Sequence, residues 1–257
     1  MIWDKGIADV DVEDLLAILR PIWTSKPETA RRVRGRIEAV LNAAKVRSMR
    51  QGENPAIWRG NLELLLAKQR SGPKQHHSAM AFNQVPSFME KLRERPAMAA
   101  RALEFTILTA ARTSEVLHAH WAEVDLDAAL WTIPAQRMKA GKEHRVPLAA
   151  AALALLVGQE RTSELVFPSA EGNKSLSNMS MAMLLRRMER EETVHGFRSS
   201  FRDWCGEMTN YPREIAEQAL AHTVGSEVER AYRRGDALEK RRELMEAWAT
   251  FLGGGGC

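Results

Sequence analysis

Residues 97–110 run Ala-Met-Ala-Ala-Arg-Ala-Leu-Glu-Phe-Thr-Ile-Leu-Thr-Ala, helix-forming and mostly apolar. A helix apolar on most sides has to be enclosed by other elements. This one is too short for the roughly twenty residues that span a bilayer. It therefore predicts a helix that is buried. After it come Trp131-Thr132-Ile133-Pro134 and His144-Arg145-Val146-Pro147-Leu148, which read as two short strands. The connection from Ala135 to Glu143 holds Arg137, Lys139, Gly141 and Lys142, so the unit reads as a hairpin with a basic loop. From Asn178 onward nearly every segment has helical period. The expected class is mainly α with a small antiparallel β element.

A second helical region precedes this one. Asp11 is placed to cap a helix carrying Leu15, Ile18, Leu19 and Ile22. Pro27 opens another, with Ala30, Val33, Ile37, Leu41 and Ala44 as its apolar stripe. Asn54-Pro55 breaks the chain before a short helical segment through Leu62–Leu66. Residues 71–79 are polar and turn-rich. The expected division is a helical domain over 1–70, a linker over 71–79, a larger domain over 80–252, and a Gly-rich flexible tail over 253–257. Pro86 and Pro96 sit where helices of the larger domain can begin, and Asp236 where the last one can be capped, with Leu244, Trp248 and Phe251 on one side.

The Met1–Lys5 start has no apolar core of signal-peptide type, which makes the cytoplasm the default compartment. Cys205 and Cys257 make no disulfide framework, and Cys205 reads as a small core residue. His76-His77 has no partner ligands at metal-binding spacing, and no zinc-type cluster, magnesium-type carboxylate group or Gly-rich phosphate loop is visible. No cofactor is expected. Net charge is +4, and between Arg31 and Arg50 there are seven Lys or Arg against one acid, Glu38. Such a run is either a solvated helix face or a phosphate-contacting surface, with Arg31, Arg32 and Arg36 as its contacts.

The remaining signal is an ordered series of polar groups. Arg112-Thr113-Ser114-Glu115 follows the apolar helix. Then come Arg137-Met138-Lys139, Val146-Pro147-Leu148, His195-Gly196-Phe197-Arg198, Leu220-Ala221-His222 and Ala231-Tyr232-Arg233-Arg234. Each piece alone is common. Together and in this order they resemble the catalytic domain of the tyrosine recombinases, the phage-integrase family, and in particular the integrases of P4-like prophages and genomic islands. The resemblance covers roughly residues 80–250. Residues 5–70 are similar, on softer features, to that family's helical core-binding domain. The family usually carries an arm-binding domain before it, and its core-binding domain begins earlier, so the resemblance implies an N-terminally truncated member. One departure is Ala110-Ala111 where many relatives have glycine. Alanine favours helix and is expected to be tolerated there.

The resemblance implies roles residue by residue. Arg112 and Arg198 match the two catalytic arginines, His195 the first histidine, His222 the position filled by histidine or tryptophan, and Tyr232 the nucleophile. The family's lysine, counted back from the Val-Pro-Leu strand, is Lys139, with Lys142 as the alternative in the same loop. Lys142 is also a DNA-contact candidate. Tyr211, the other tyrosine, lacks the Ala-Tyr-x-Arg setting. Glu115 is either an orienting partner of Arg112 or an exposed helix acid. The implied activity is site-specific cleavage and rejoining of DNA through a 3′-phosphotyrosyl intermediate, for integration or excision of a mobile element. The alternatives are a DNA-binding remnant without full recombination, or relaxation of supercoils as in type IB topoisomerases. The implied partners are double-stranded DNA, further copies of the chain assembling as a tetramer on it, and a directionality factor, with no membrane. The last helix either docks on a neighbouring protomer or packs on its own domain.

Overall fold

The computed structural model describes residues 4–68, 78–222 and 235–254. The chain forms two compact units, Met1–Gln75 and His76–Cys257.

In the first unit, α1 (Val12–Trp23) and α2 (Pro27–Val46) pack against each other. Asp11 caps α1 reciprocally: its carboxylate accepts from Asp14 N at 3.0 Å, and that of Asp14 accepts from Asp11 N at 3.0 Å. Leu15, Leu16, Leu19 and Trp23 are buried with Ala30 and Leu41 of α2, so the apolar stripe is close to the expected one, with Leu16 and Trp23 added. A π-turn (Trp58–Leu62) and α3 (Glu63–Leu65) close the unit. The buried Asn54 fastens this return to α2, donating to Glu38 O at 2.9 Å and Asn42 Oδ1 at 2.7 Å. Part of the basic run is internal. Arg50 donates to Val10 O at 2.7 Å, and Arg34 bridges Glu38 (2.7 Å) and Ala56 O (2.8 Å). Arg31, Arg32 and Arg36 remain exposed.

The second unit is layered on α5 (Met98–Thr109), which is buried from Ala102 through Thr109. Around it stand α4 (Val85–Arg93), α6 (Thr113–Leu117), α7 (Ala150–Val157), α8 (Ser180–Arg187) and the last helix, α11 (Leu238–Leu252). Two further helices, α9 (Gly196–Met208) and α10 (Arg213–Ala219), pack on each other, and α10 also packs on α11. The hairpin has the expected strands, β2 (Leu130–Ile133) and β3 (His144–Pro147), paired antiparallel with Trp131 opposite Val146. A short β1 (Val124–Asp125) adds a third strand in the order β1-β2-β3. Two residues carry too little periodicity to be read as a strand beforehand.

Two expectations change. The α5 helix begins at Met98 with Ala97 as its cap, so Pro96 stands outside it. Asp236 does not cap α11. Its N-cap is Ala237 in the left-handed region, and the Asp236 carboxylate instead joins Arg145 (2.8 and 2.9 Å) and Arg241 (2.8 Å). Of the two placements for the last helix, packing on its own unit is the one found. Leu244, Trp248 and Leu252 have no exposed surface, and Trp248 Nε1 donates to Ile107 O at 2.9 Å. Truncating an aromatic so enclosed costs about 3–5 kcal/mol. Cys205 is buried as expected, and burial pushes its thiol up to about 12.

Candidate active site

Arg112 follows the end of α5 and stands at the N-cap of α6. Ala110 terminates α5 in the left-handed region, at φ 49°. This corrects the helix-favouring reading of that alanine: the position reverses the chain, the geometry for which glycine is the low-strain residue. Glu115 then reaches back. Its carboxylate accepts from Arg112 N at 2.8 Å and from Arg112 Nη1 at 2.7 Å, fixing backbone and guanidinium together. Glu115 is buried, so it is the partner of Arg112 and not an exposed acid. Removing Arg112 would leave this buried carboxylate without its partner, which is destabilising.

Arg198 arrives from the first turn of α9. The preceding Gly196 has a steric reason: a Cβ there would lie 2.2 Å from Ser78 O and 2.9 Å from Ala79 Cα. Ser200 Oγ holds the same segment through Met80 O at 2.5 Å. Arg198 itself is buried. It donates to Ala110 O, and from Nη2 to Leu220 O at 2.6 Å. Its Nε has no hydrogen-bond partner among the described residues. His195 lies one turn earlier, exposed at the N-cap of α9.

The two guanidinium groups meet at the C-terminus of α10. Arg112 Nη2 donates to Ala221 O at 3.1 Å and to Leu220 O at 3.4 Å, so Leu220 O serves both arginines. Helix C-termini carry partial negative charge and favour cations. Ala221, like Ala110, is in the left-handed region. Each reversal turns carbonyls toward an arginine. Burial, then the charge of Arg112, lowers Arg198 to about 10, with Glu115 opposing. It remains charged at neutral pH. His222 follows directly, with Nε2 at 3.3 Å from Arg198 Nη2 and Nδ1 at 2.7 Å from Glu217 Oε2. Burial works to raise the Glu217 carboxyl, but hydrogen bonds from Arg202 and His222 outweigh it and hold the group below the usual carboxylate range.

The structure thus brings Arg112, Arg198 and His222 together. Lys139 and Lys142 are exposed in the β2–β3 connection. The base of that connection is fixed by Arg137, which donates to Glu123 (2.7 and 2.8 Å) and to Glu115 O (2.5 Å), tying the lysine loop to the helix of Arg112. Tyr232 lies outside the described residues, as do His76 and His77. Tyr211 is partly buried against the core. Burial, then Glu243, raises its phenol above the ordinary value and disfavours the phenolate.

Sequence reasoning passed over Glu217, Arg202, His144 and the strut role of Arg137. Glycine at position 221 would have marked the end of α10 and pointed to the Glu217–His222 approach, whereas alanine conceals it. Among the described residues no three His, Cys, Asp or Glu side chains converge as a metal site needs, and no helix is long and apolar enough to cross a membrane.

Comparison with known proteins gives the chain's family and fold. Residues 1–61 match the phage integrase central domain, and residues 78–239 match the phage integrase family. Prophage integrase IntA of Escherichia coli strain K12 is 32% identical over 260 residues, covering 98% of this chain and 61% of that protein. The integrase of Enterobacteria phage P4 is 31% identical over 277 residues, again 98% of this chain and 61% of the relative. The chain therefore spans about three-fifths of the length of these curated relatives. Among solved structures, a lambda integrase dimer bound to a COC′ core site matches with a TM-score of 0.61 at 16% identity, over 91% of this chain and 82% of that one. With a family match covering most of its length and an ordered set of polar groups converging on one helix end, this chain belongs to the phage integrase family.

Proposed function

We propose that the chain is a site-specific tyrosine recombinase that cleaves and rejoins DNA through a 3′-phosphotyrosyl intermediate. The observation that carries this reading is the convergence of Arg112 and Arg198 on Leu220 O with His222 alongside. Two fixed guanidinium groups, one carboxylate and an imidazole make a site for an anion whose charge grows during reaction.

In this reading Tyr232 Oη attacks the scissile phosphorus. The new P–Oη bond forms as the bond to the 5′-oxygen breaks. The phenol, with an ordinary pKa near 10, passes its proton to His195. Arg112 and Arg198 hold the non-bridging oxygens with donors that keep their charge. His222 adds a further hydrogen bond. Lys139, or Lys142 from the same exposed loop, gives a proton to the leaving 5′-oxygen, which guanidinium cannot do. A 5′-hydroxyl of a second duplex then attacks the phosphotyrosyl bond and releases Tyr232. Bond energy is conserved throughout, so no nucleotide cofactor enters.

Double-stranded DNA is the proposed partner. Arg31, Arg32, Arg36 and Lys142 are proposed phosphate contacts, all exposed. The lambda integrase dimer on a core site supports action by more than one copy. Assembly as a tetramer, involvement of a directionality factor, and integration or excision of a mobile element complete the proposal. Its test is a library of nicked duplexes with randomised core sequence, in which the short strand beyond the scissile phosphate diffuses away. A covalent adduct stable to detergent, lost in Tyr232→Phe and kept in Tyr211→Phe, is the expected result. Loss of any single phosphate donor should slow cleavage by about a hundredfold or more. A better leaving group should rescue the lysine variant but not an arginine variant. No adduct with any library member would overturn the proposal, and site-independent relaxation of supercoils would replace it with a topoisomerase.

A further inference from the structure

We infer that Glu217 is a positioning residue for His222, holding the ring through Nδ1 so that Nε2 faces the arginine pair and becomes a donor when a phosphate arrives. The inference rests on the recombinase reading for the identity of that phosphate. The ring's placement rests on geometry alone.

The arrangement starts in the backbone. Ala221 is left-handed, Ala221 N donates to Gln218 O at 3.0 Å, and His222 N donates to Glu217 O at 2.9 Å. This is the helix ending in which the residue two beyond the last helical turn lies against the residue five before it. An apolar contact usually occupies that approach. Here it holds a carboxylate and an imidazole, 2.7 Å apart. The carboxylate is fixed from its other side, where Glu217 Oε1 accepts from Arg202 Nε at 2.8 Å. Arg202 is four residues after Arg198, so one face of α9 sends Arg198 to the site and Arg202 to the carboxylate. Arg213 Nε stands 3.7 Å from the same oxygen.

A carboxylate on Nδ1 requires the proton to be there. Nε2 then faces Arg198 Nη2, an N–H donor, as a bare acceptor. A non-bridging phosphate oxygen in that place is itself an acceptor, so Nε2 must carry a proton to bind it. With Nε2–H turned to that oxygen, Glu217 keeps its hold on Nδ1 from the other side of the ring. The tryptophan that other family members carry at this position donates permanently through its indole and has no second nitrogen for a carboxylate.

That difference supplies the test. Single-turnover cleavage of a nicked duplex would be measured for wild type, Glu217→Gln, His222→Trp and the double variant. Glu217→Gln should slow cleavage about tenfold beside histidine, the worth of one charge-assisted hydrogen bond, and less than about twofold beside tryptophan. An equal loss in both backgrounds, or none beside histidine, would overturn the inference and assign Glu217 to holding α9 and α10 together. A second measurement needs no DNA cleavage. The ¹⁵N spectrum of histidine-labelled protein at neutral pH should show His222 protonated at Nδ1 and bare at Nε2, with this tautomer lost in Glu217→Ala. A ring protonated at Nε2 and bare at Nδ1 in the wild type would refute the positioning even if the recombinase reading stood. The Nδ1 form would uphold it even if no duplex were cleaved.

Discussion

Lowering the pH should destabilise the larger unit through His144. Its ring is partly buried on β3, close to the Ala219 carbonyl, which neighbours those that hold the two arginines. Burial first, and then the charge of Arg241, pushes this histidine from the ordinary 6.5 down to about 4. Arg112 adds to the effect, while Glu115 and the Ala219 carbonyl oppose it. The unfolded chain accepts a proton near pH 6.5 and the folded chain only near 4. Stability associated with His144 is therefore intact above 6.5 and falls as pH drops through that window. At about 1.4 kcal/mol per pH unit, acidification from pH 7 to 4.5 should cost about 2 kcal/mol at this one residue. The assay is urea unfolding at both pH values for wild type and His144→Gln, which keeps a donor and does not titrate. The wild-type midpoint should fall about 1 M further than that of the variant. Parallel shifts in the two proteins, or a His144 ring resonance titrating near its ordinary value, would refute the reasoning.

Other outcomes follow from single contacts. Gly196→Ala places a methyl 2.2 Å from Ser78 O. The backbone has to yield, and thermal unfolding should show a loss of about 3 kcal/mol or failure to fold. Ala221→Gly should raise the melting temperature, since left-handed alanine costs about 1–2 kcal/mol and the extra freedom of unfolded glycine returns only part of it. Ala110→Gly should gain less, because its methyl is buried and removing it forfeits about 0.8 kcal/mol. Neutralising Arg36, which is exposed on α2, should weaken duplex binding on every sequence alike and lower the salt slope by about one. A loss confined to one sequence, measured by fluorescence anisotropy, would indicate base reading instead.

How much could be read beforehand depended on the kind of interaction. Apolar periodicity placed α1, α2 and the buried α5, and alternation placed the β2–β3 pair, because burial of a face imposes its period on the residues that form it. The polar order placed Arg112, Arg198 and His222 close in sequence to one another's supports, and the structure shows those three in contact with one helix end. Features set by long-range pairing were not legible. Asp236 looked like a helix cap, but Arg145 from β3 and the buried Arg241 recruit it. Arg137 looked like one more cation of the basic β2–β3 loop, but Glu123 holds it. Ala110 looked helical because alanine is the best helix former, yet it occupies a left-handed turn, as Ala221 does, and both turns aim carbonyls at the arginines. Local preference is worth a fraction of a kcal/mol, and several charge-assisted hydrogen bonds to one helix end outweigh it.

In the proposed reaction the arginine pair serves a covalent attack by Tyr232. The measurement closest to it is peptide mapping of the protein–DNA adduct, trapped on a nicked duplex and digested to the residue that carries the nucleotide. A phosphodiester on Tyr232 is expected, formed at a rate that collapses when Arg112 or Arg198 is replaced. Attachment at Tyr211, or strand cleavage that leaves a free phosphate end and no protein-linked nucleotide, would contradict it.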